Sequence, residues 1–172
     1  MKKTILIFIS VLLIGTITKA QSKEQYLNNF KSLLKEAESD FQNVLGKELE
    51  VDSARKSTYY ACTKGLSSSF EAICINKGDN TTYFTCEYDY SKTTELIKAN
   101  EILPGIIDNI NSMIKSGKYK GRDYKNARGE DVTEVKDLEG NYIVEIESKT
   151  DVTSNKDNYL KITVYGKSWG KK

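Results

Sequence analysis

The sequence predicts an α+β domain in which two amphipathic helices pack on one face of an antiparallel sheet of about six strands. In two separate segments, apolar residues recur every three or four positions, which is the period of a helix with one buried face. Elsewhere, apolar and polar residues alternate, which is the period of a strand with one buried face. The resulting order is α-β-β-β-α-β-β-β, an order typical of helices on one side of an antiparallel sheet.

The first helix is predicted to begin with a capping box at Ser22–Gln25 and to end at Gly46. A hydroxyl residue three positions before Glu or Gln caps a helix start, and glycine commonly follows a helix end. Because the apolar residues between these limits share one stripe, we expect that stripe to face the sheet. They are Tyr26, Phe30, Leu33, Leu34, Ala37, Phe41, Val44 and Leu45.

Three strands are predicted between Ser57 and Tyr90, with turns near Ser68 and Asn80. Turn-forming residues at Gly65–Ser69 and Lys77–Asn80 separate the strands. All inward candidates have even numbers, so a meander with these turns gives them one common core face. They are Tyr60, Cys62, Leu66, Phe70, Ala72, Cys74, Phe84, Cys86, Tyr88 and Tyr90.

The second helix is predicted from Ser91 to Gly117, with a kink or a break at Pro104. Its apolar stripe comprises Leu96, Leu103, Ile107, Ile110 and Ile114, flanked by Ile102, Ile106 and Met113. A polar basic loop is expected next. Three closing strands follow, at Val132–Leu138, Tyr142–Glu147 and Leu160–Val164, and the last two direct Tyr142, Val144, Ile146, Leu160, Ile162 and Val164 to the same core.

Residues 1–20 are predicted to be a cleavable signal peptide. Lys2 and Lys3 precede an eleven-residue apolar stretch, Ile5–Gly15, and Ala20 supplies the small residue before the cleavage point. A membrane-spanning helix needs about 20 apolar residues, so this stretch is too short to span. We therefore expect a periplasmic or secreted bacterial protein whose residues 21–172 form one domain without a membrane span.

Composition excludes several classes of function. The chain has 26 Lys+Arg and 24 Asp+Glu, and the leader contains three of the lysines and no acid, so the mature domain has a net charge of −1. This gives no basis for nucleic-acid binding. The chain contains no histidine, which excludes His-dependent nucleophile systems and imidazole metal ligands. No nucleotide, zinc or calcium motif is present, so we predict no cofactor, metal or catalytic residue.

The three cysteines are the sharpest structural prediction. Cys62, Cys74 and Cys86 are spaced twelve and twelve residues apart, and disulfides persist outside the cytoplasm. With the register proposed above, Cys74 lies directly opposite the other two on adjacent strands. Cys62 and Cys86 lie two strands, or roughly 10 Å, apart, which is beyond bridging distance. Any disulfide should therefore join Cys74 to Cys62 or Cys86; the alternative is three reduced core thiols.

Two further site predictions concern polar segments. Lys118, Lys120 and Arg122 belong to a basic run, Lys115–Arg128, that is either a solvated loop or an anion-contacting one. Ser53 lies in the triplet Asp52-Ser53-Ala54, which resembles the short O-glycosylation acceptor pattern of exported Bacteroidota proteins. That resemblance implies a glycan on Ser53, in the polar link before the first strand.

Two function classes remain open. The first is a binding or interaction module for a protein, a glycan or a lipid headgroup, acting through the sheet face away from the helices. Tyr59, Tyr83, Tyr159 and Tyr165 are expected on that face because their numbers are odd. The second is a glycosidase-like hydrolase that uses carboxylates alone, for which Glu145 and Glu147 are candidates, although their alternating positions predict solvated side chains. A non-enzymatic binding module is the preferred interpretation.

Overall fold

The computed structural model describes residues 23–150 and 158–169, and these residues form one antiparallel sheet of eight strands with two α-helices. Each helix is followed by four strands. The first half comprises α1 (23–36), β1 (Leu45–Asp52), β2 (Ser57–Cys62), β3 (Phe70–Asn76) and β4 (Thr81–Asp89). The second half comprises α2 (Thr93–Lys115), β5 (Tyr119–Lys125), β6 (Asp131–Asp137), β7 (Tyr142–Lys149) and β8 (Tyr159–Tyr165).

The strand order is β1-β2-β3-β4-β8-β7-β6-β5. Each half is therefore a meander, and the two meanders join through antiparallel pairing of their last strands, β4 and β8. The joining register runs from Tyr83 opposite Tyr165 to Asp89 opposite Tyr159. This arrangement places β1 and β5 at the two edges of the sheet.

Both helices pack on the same face of the sheet and share one core with it. Phe30 and Leu33 of α1 are fully buried, as are Ile73 and Phe84 in the sheet. The predicted α+β class, with two helices and one antiparallel sheet, is thus confirmed. The face opposite the helices, which we call the open face, carries the alternate side chains of the same strands.

The sheet has eight strands, not about six, because both edge strands were interpreted as polar connections. Leu45–Asp52 forms β1 and Tyr119–Lys125 forms β5, and most of their side chains are exposed. An edge strand pairs on one side only, and charged side chains protect its free side against unwanted pairing. The basic segment containing Lys118, Lys120 and Arg122 is therefore largely an edge strand, not a loop.

The predicted end of the first helix at Gly46 is wrong. The α-helix ends at residue 36, and two single-turn 3₁₀ helices, Ala37–Ser39 and Gln42–Val44, follow. Between them, Asp40 and Phe41 have φ angles of +50° and +62°, a left-handed conformation that ends a helix. Phe41 and Val44 are nevertheless fully buried, which is why the apolar spacing continues past the true end.

The second helix is continuous through Pro104, so the predicted break is absent. Gly117 follows it with a φ of +76°, and the Gly117 N–H donates to the Ile114 carbonyl at 3.0 Å. This left-handed glycine is the predicted helix stop. The buried stripe of α2 comprises Glu95, Ala99, Ile102, Ile106 and Ile110, so it is rotated from the predicted one.

The pairing of β3 with β2 and with β4 is shifted by three residues from the prediction. Because the shift is an odd number, the side chains of β3 lie on the faces opposite to those predicted. Cys74 pairs with Tyr59 and Tyr83, and Ile73 pairs with Tyr60 and Phe84. The turn before β4 is centred before Asn80, because the Asn76 side chain accepts from the Gly78 N–H at 2.7 Å and starts the turn there. The predicted inward residues Ala72 and Cys74 consequently lie on the open face.

The predicted signal peptide, residues 1–20, lies outside the described residues. Within 23–150 and 158–169, no helix has the length and apolar character required to cross a bilayer.

Candidate functional site on the open face

Aromatic rings are concentrated on the open face around the seam between β4 and β8. Tyr59, Cys74, Tyr83 and Tyr165 form one row, because each is the direct cross-strand partner of the next. Together with Trp169 and Phe70, the three tyrosines line a cavity of about 480 Å³, which we call the aromatic cavity. The predicted placement of these three tyrosines away from the helices is confirmed.

Trp169 reaches the cavity from the turn that follows β8. The backbone N–H of Gly166 donates to Thr82 O at 2.8 Å, and the N–H of Lys167 donates to Ala37 O at 2.8 Å. Both the N–H and the hydroxyl of Ser168 donate to the Asp40 carboxylate at 2.9 Å. These bonds fix the turn against the opposite end of the chain and thereby fix the indole.

The rings contact one another edge to face or at a tilt. The Trp169 ring centroid lies 5.5 Å from that of Tyr83, with perpendicular planes, and 4.6 Å from that of Tyr165. These are favourable aromatic geometries. Burial, together with the Cys74 thiol, raises the pKa of the Tyr59 and Tyr83 hydroxyls above the ordinary value, so both stay protonated donors at neutral pH.

Charged side chains form the rim of the aromatic cavity. Three acids and two bases contribute: Glu50, Asp52, Glu87, Arg55 and Lys161. Asp52 pairs with Arg55 at 3.7 Å, and Lys161 pairs with Glu147, outside the rim, at 3.4 Å. Within the described residues, neither the Glu50 nor the Glu87 carboxylate has a hydrogen bond or an ion pair, although Lys161 is the cross-strand partner of Glu87.

A second polar cluster lies on the open face of β6 and β7. Glu134 is the direct cross-strand partner of Glu145, and Glu147 follows on the same face of β7. Glu147 is only 6% exposed and Glu134 only 5%, so the prediction of solvated carboxylates at Glu145 and Glu147 is wrong for Glu147, whereas Glu145 is partly buried.

The cations of this cluster come from flanking side chains. Glu147 accepts from Arg128 at 2.6 Å, and Glu134 pairs with Lys136 at 3.0 Å through one oxygen. The other oxygen of Glu134 is buried and has no hydrogen-bond partner within the described residues. Desolvation alone would raise the pKa of the adjacent Glu130, but hydrogen bonds, beginning with that from Asn126, and the Arg128 charge lower it to about 2.

Among the described residues, Glu145 differs from Glu134 and Glu147 in having no ion pair within 4 Å. It accepts a hydrogen bond from the Tyr165 hydroxyl at 3.2 Å. Burial raises the pKa of the Glu145 carboxyl above the ordinary value, and the negative charges of Glu147 and Glu134 add to that rise. The Tyr165 hydrogen bond and the Lys161 charge lower the pKa but do not cancel the rise. Glu145 is therefore the acid of the open face whose ionisation is opposed by its surroundings.

Glu145→Gln should make the protein more resistant to urea at pH 7 than at pH 4, relative to the wild type. A carboxyl with a raised folded-state pKa favours folding below its ordinary pKa, near 4.3, and loses that contribution as pH rises. The glutamine variant cannot ionise, so its advantage should grow from pH 4 to pH 7. Urea midpoints at the two pH values measure it, with exposed Glu101→Gln on α2 as the control. A difference that stays constant with pH would contradict the assignment.

The predicted disulfide is not formed, because the register on which it was based is wrong. Cys62, Cys74 and Cys86 are all free thiols. Cys86 belongs to the helix-side core and Cys62 packs against it, whereas Cys74 lies on the open face. Cys74 therefore lies on the opposite face of the sheet from Cys62 and Cys86, and it cannot bridge to either of them.

Thiol labelling tests this arrangement. Cys74 and Cys86 are at most 1% exposed, and burial raises the pKa of the Cys62 thiol to about 11. Because the thiolate is the reactive species, iodoacetamide should label the native protein slowly, at Cys62 first, and should label all three thiols quickly in urea. Non-reducing peptide mapping should find no link; a peptide joining Cys74 to Cys62 or Cys86 would contradict the register.

The other sequence-predicted sites lie apart from the aromatic cavity. Lys118 and Lys120 are exposed, and Arg122 lies over the Tyr124 ring at 4.3 Å, on or beside the far edge strand. Ser53 is exposed in the turn between β1 and β2. Anion contact by the first three, and glycosylation of Ser53, stay predictions.

Several residues of the open face were missed from sequence, notably Trp169, Glu134 and Arg128. The available signal was the alternation along β6. Glu134 has an even number and Val135 an odd one, so the two side chains were expected on opposite faces of the sheet. In the described part of the chain, no cluster of His, Cys, Asp or Glu is arranged to hold a metal ion. Comparison with known proteins finds no matching family model, no similar curated protein and no similar solved structure.

Proposed function

We propose that the protein is a small exported binding module whose partner contacts the open face of the sheet at the aromatic cavity. The proposal rests on one observation: both helices cover the same face, and the opposite face presents three tyrosines and a tryptophan around a concavity. Aromatic residues at the centre and charged residues at the rim are the usual anatomy of a protein-binding surface.

The size of the open face supports this proposal. Eight strands spaced by about 4.8 Å, each with about seven residues rising 3.3 Å apiece, give a face of roughly 800 Å². A stable protein–protein interface typically buries about that area on each partner. The face is therefore large enough for a macromolecular partner as well as for a small ligand.

Affinity enrichment with matched variants tests the proposal. The mature chain, 21–172, is immobilised and exposed to envelope and medium fractions of the source organism, and bound components are identified by mass spectrometry. Trp169→Ala removes the central ring, whereas Ile97→Ala removes an exposed apolar side chain on α2 (49% exposed) on the opposite side of the molecule.

Components bound by the wild type and by Ile97→Ala should be depleted at least tenfold on Trp169→Ala, since central aromatic residues of interfaces typically contribute 2 kcal/mol or more. Circular dichroism establishes that each variant is folded. Equal retention by wild type, Trp169→Ala and Tyr83→Ala would overturn the proposal.

A carboxylate-dependent hydrolase is the second candidate. Glu134 and Glu145 are cross-strand partners, so their backbones lie about 5 Å apart, and Glu145 has a raised pKa. Retaining glycosidases need two carboxyl groups at about that separation, one of them protonated. Against it, Glu134 is 5% exposed and is paired with Lys136. Hydrolysis of a glycoside panel that Glu145→Gln abolishes would support this candidate, and its absence would exclude it.

A further inference from the structure

We infer that the aromatic cavity binds a cationic side chain, an arginine above all, carried by the partner protein. This inference rests on the proposed function, which it deepens by naming the group that is recognised. It starts from the charges on the rim of the cavity. Glu50 and Glu87 line the cavity without an ion-pair partner among the described residues, whereas the two basic rim residues are each paired with an acid.

The position of the two free carboxylates suits a cation. Glu50 is the cross-strand partner of Tyr59 at one side of the cavity. Glu87 lies beside Phe70 at the other side. Glu50 and Glu87 lie three strands apart and are offset by four residues along the strands, so one cation contacts one carboxylate and not both. At Glu50 it would also contact Tyr59, and at Glu87 it would also contact Phe70. Beyond the third ring, Glu145 accepts from the Tyr165 hydroxyl at 3.2 Å.

The other half of the open face already contains this combination in a completed form. The Lys136 ammonium lies 3.9 Å from the Tyr142 ring centroid and 3.0 Å from the Glu134 carboxylate. The Arg122 guanidinium lies 4.3 Å from the Tyr124 ring centroid and 3.8 Å from the same carboxylate. On β5–β7, the chain thus supplies rings, carboxylates and its own cations.

The aromatic cavity has Arg55 and Lys161 at its rim, but among the described residues the cations that lie over rings are those at Tyr124 and Tyr142, outside it. Arg55 projects at the rim with 77% of its side chain exposed and is paired with Asp52. Lys161 is the cross-strand partner of both Glu87 and Glu147, and its ammonium is paired with Glu147 at 3.4 Å. A cation from a partner would therefore form, on β1–β4 and β8, the contacts with a ring and a carboxylate that Lys136 and Arg122 form on the other half of the sheet.

Arginine fits better than lysine. The guanidinium is planar, so it stacks on aromatic rings and presents two parallel N–H groups to one carboxylate. A cation on an aromatic ring and an exposed ion pair are both weak contacts in water. A single arginine should accordingly bind with a Kd on the order of 10 mM, and the remaining affinity would come from the rest of the interface.

The protein contains a built-in reporter for this test. Trp169 is the single tryptophan of the chain, and its ring borders the cavity. The mature protein is titrated with the peptide acetyl-Gly-Arg-Gly-amide while Trp169 fluorescence is recorded. The matched peptide acetyl-Gly-citrulline-Gly-amide has nearly the same shape without the charge, and acetyl-Gly-Glu-Gly-amide tests for an anion.

The arginine peptide should give a saturable change in Trp169 fluorescence. Its affinity should be at least tenfold higher than that of the citrulline peptide and should fall as salt is added. The double variant Glu50→Gln/Glu87→Gln should lose at least fivefold in affinity, whereas Glu101→Gln, on the exposed side of α2, should bind as the wild type does. Both variants alter exposed side chains, so their folding should be unaffected.

Equal binding of the arginine and citrulline peptides, preference for the glutamate peptide, or no saturable change with any of them would overturn the inference. The enrichment experiment separates this result from the fate of the proposed function. If components are lost on Trp169→Ala but the peptides show no preference for arginine, the proposed function stands and only the inference of a cation is rejected. Equal retention on Trp169→Ala would reject both.

Discussion

Phe84→Ala should lower the free energy of unfolding by about 3–5 kcal/mol, the range for truncating a fully buried phenylalanine. Phe84 is completely buried in β4, between Ile73 of β3 and Val164 of β8. Its ring therefore contacts both halves of the sheet and the helix-side core. Truncation leaves a cavity at the seam between the halves, where the surrounding strands cannot readily close. Urea unfolding, followed by circular dichroism, measures the change.

Phe70→Ala is the matched control, because the same atoms are removed from a side chain that is 49% exposed. We expect a change within about 0.5 kcal/mol. Alternation along the sequence predicts that Phe70 and Phe84 both face the core. The comparison of the two variants therefore tests the observed register directly. Equal losses for the two variants would contradict the placement of Phe70 on the open face.

Gly166→Ala should lower stability by about 1–3 kcal/mol, the usual cost of forcing an extra carbon into a packed site, and should also move Trp169. A Cβ at residue 166 would lie 2.9 Å from Thr82 O and 2.5 Å from the Asp40 carboxylate. Both atoms hold the turn that carries the indole. The variant should therefore show a red-shifted Trp169 emission as well as a lower urea midpoint.

Gly78→Ala serves as the control for Gly166→Ala. A Cβ there would meet the flexible Asn76 side chain at 3.0 Å, and no backbone atom of a distant strand is close. Its emission should match that of the wild type, with little change in midpoint. If Gly166→Ala kept both the native emission and the native midpoint, the turn would not be what positions Trp169.

Strands with clearly unequal faces could be predicted from the sequence. In β8, Leu160, Ile162 and Val164 are buried in the helix-side core, and the alternation with Lys161 and Thr163 fixes the faces of that strand without ambiguity. The parity of Tyr59, Tyr83 and Tyr165 likewise predicted part of the aromatic cavity.

β3 could not be assigned in this way, because both of its faces are apolar. Ala72, Ile73 and Cys74 are consecutive and all buried, so alternation supports either orientation, and the regular cysteine spacing favoured the wrong one. Trp169 was missed for a different reason: its position depends on Ser168 bonding to Asp40, 128 residues earlier in the chain. No local pattern indicates such a contact.

The pairing of β4 with β8 also determines when the aromatic cavity can form during folding. Within each meander, strands pair with their neighbours along the chain, so their loops are short and close at little entropic cost. The β4–β8 pairs close a much longer loop, and contacts of long sequence separation form later. Tyr83 and Tyr165 stand on opposite sides of that seam. A ligand that contacted both tyrosines would bind only the paired halves, and it would therefore raise the stability of the whole molecule by mass action.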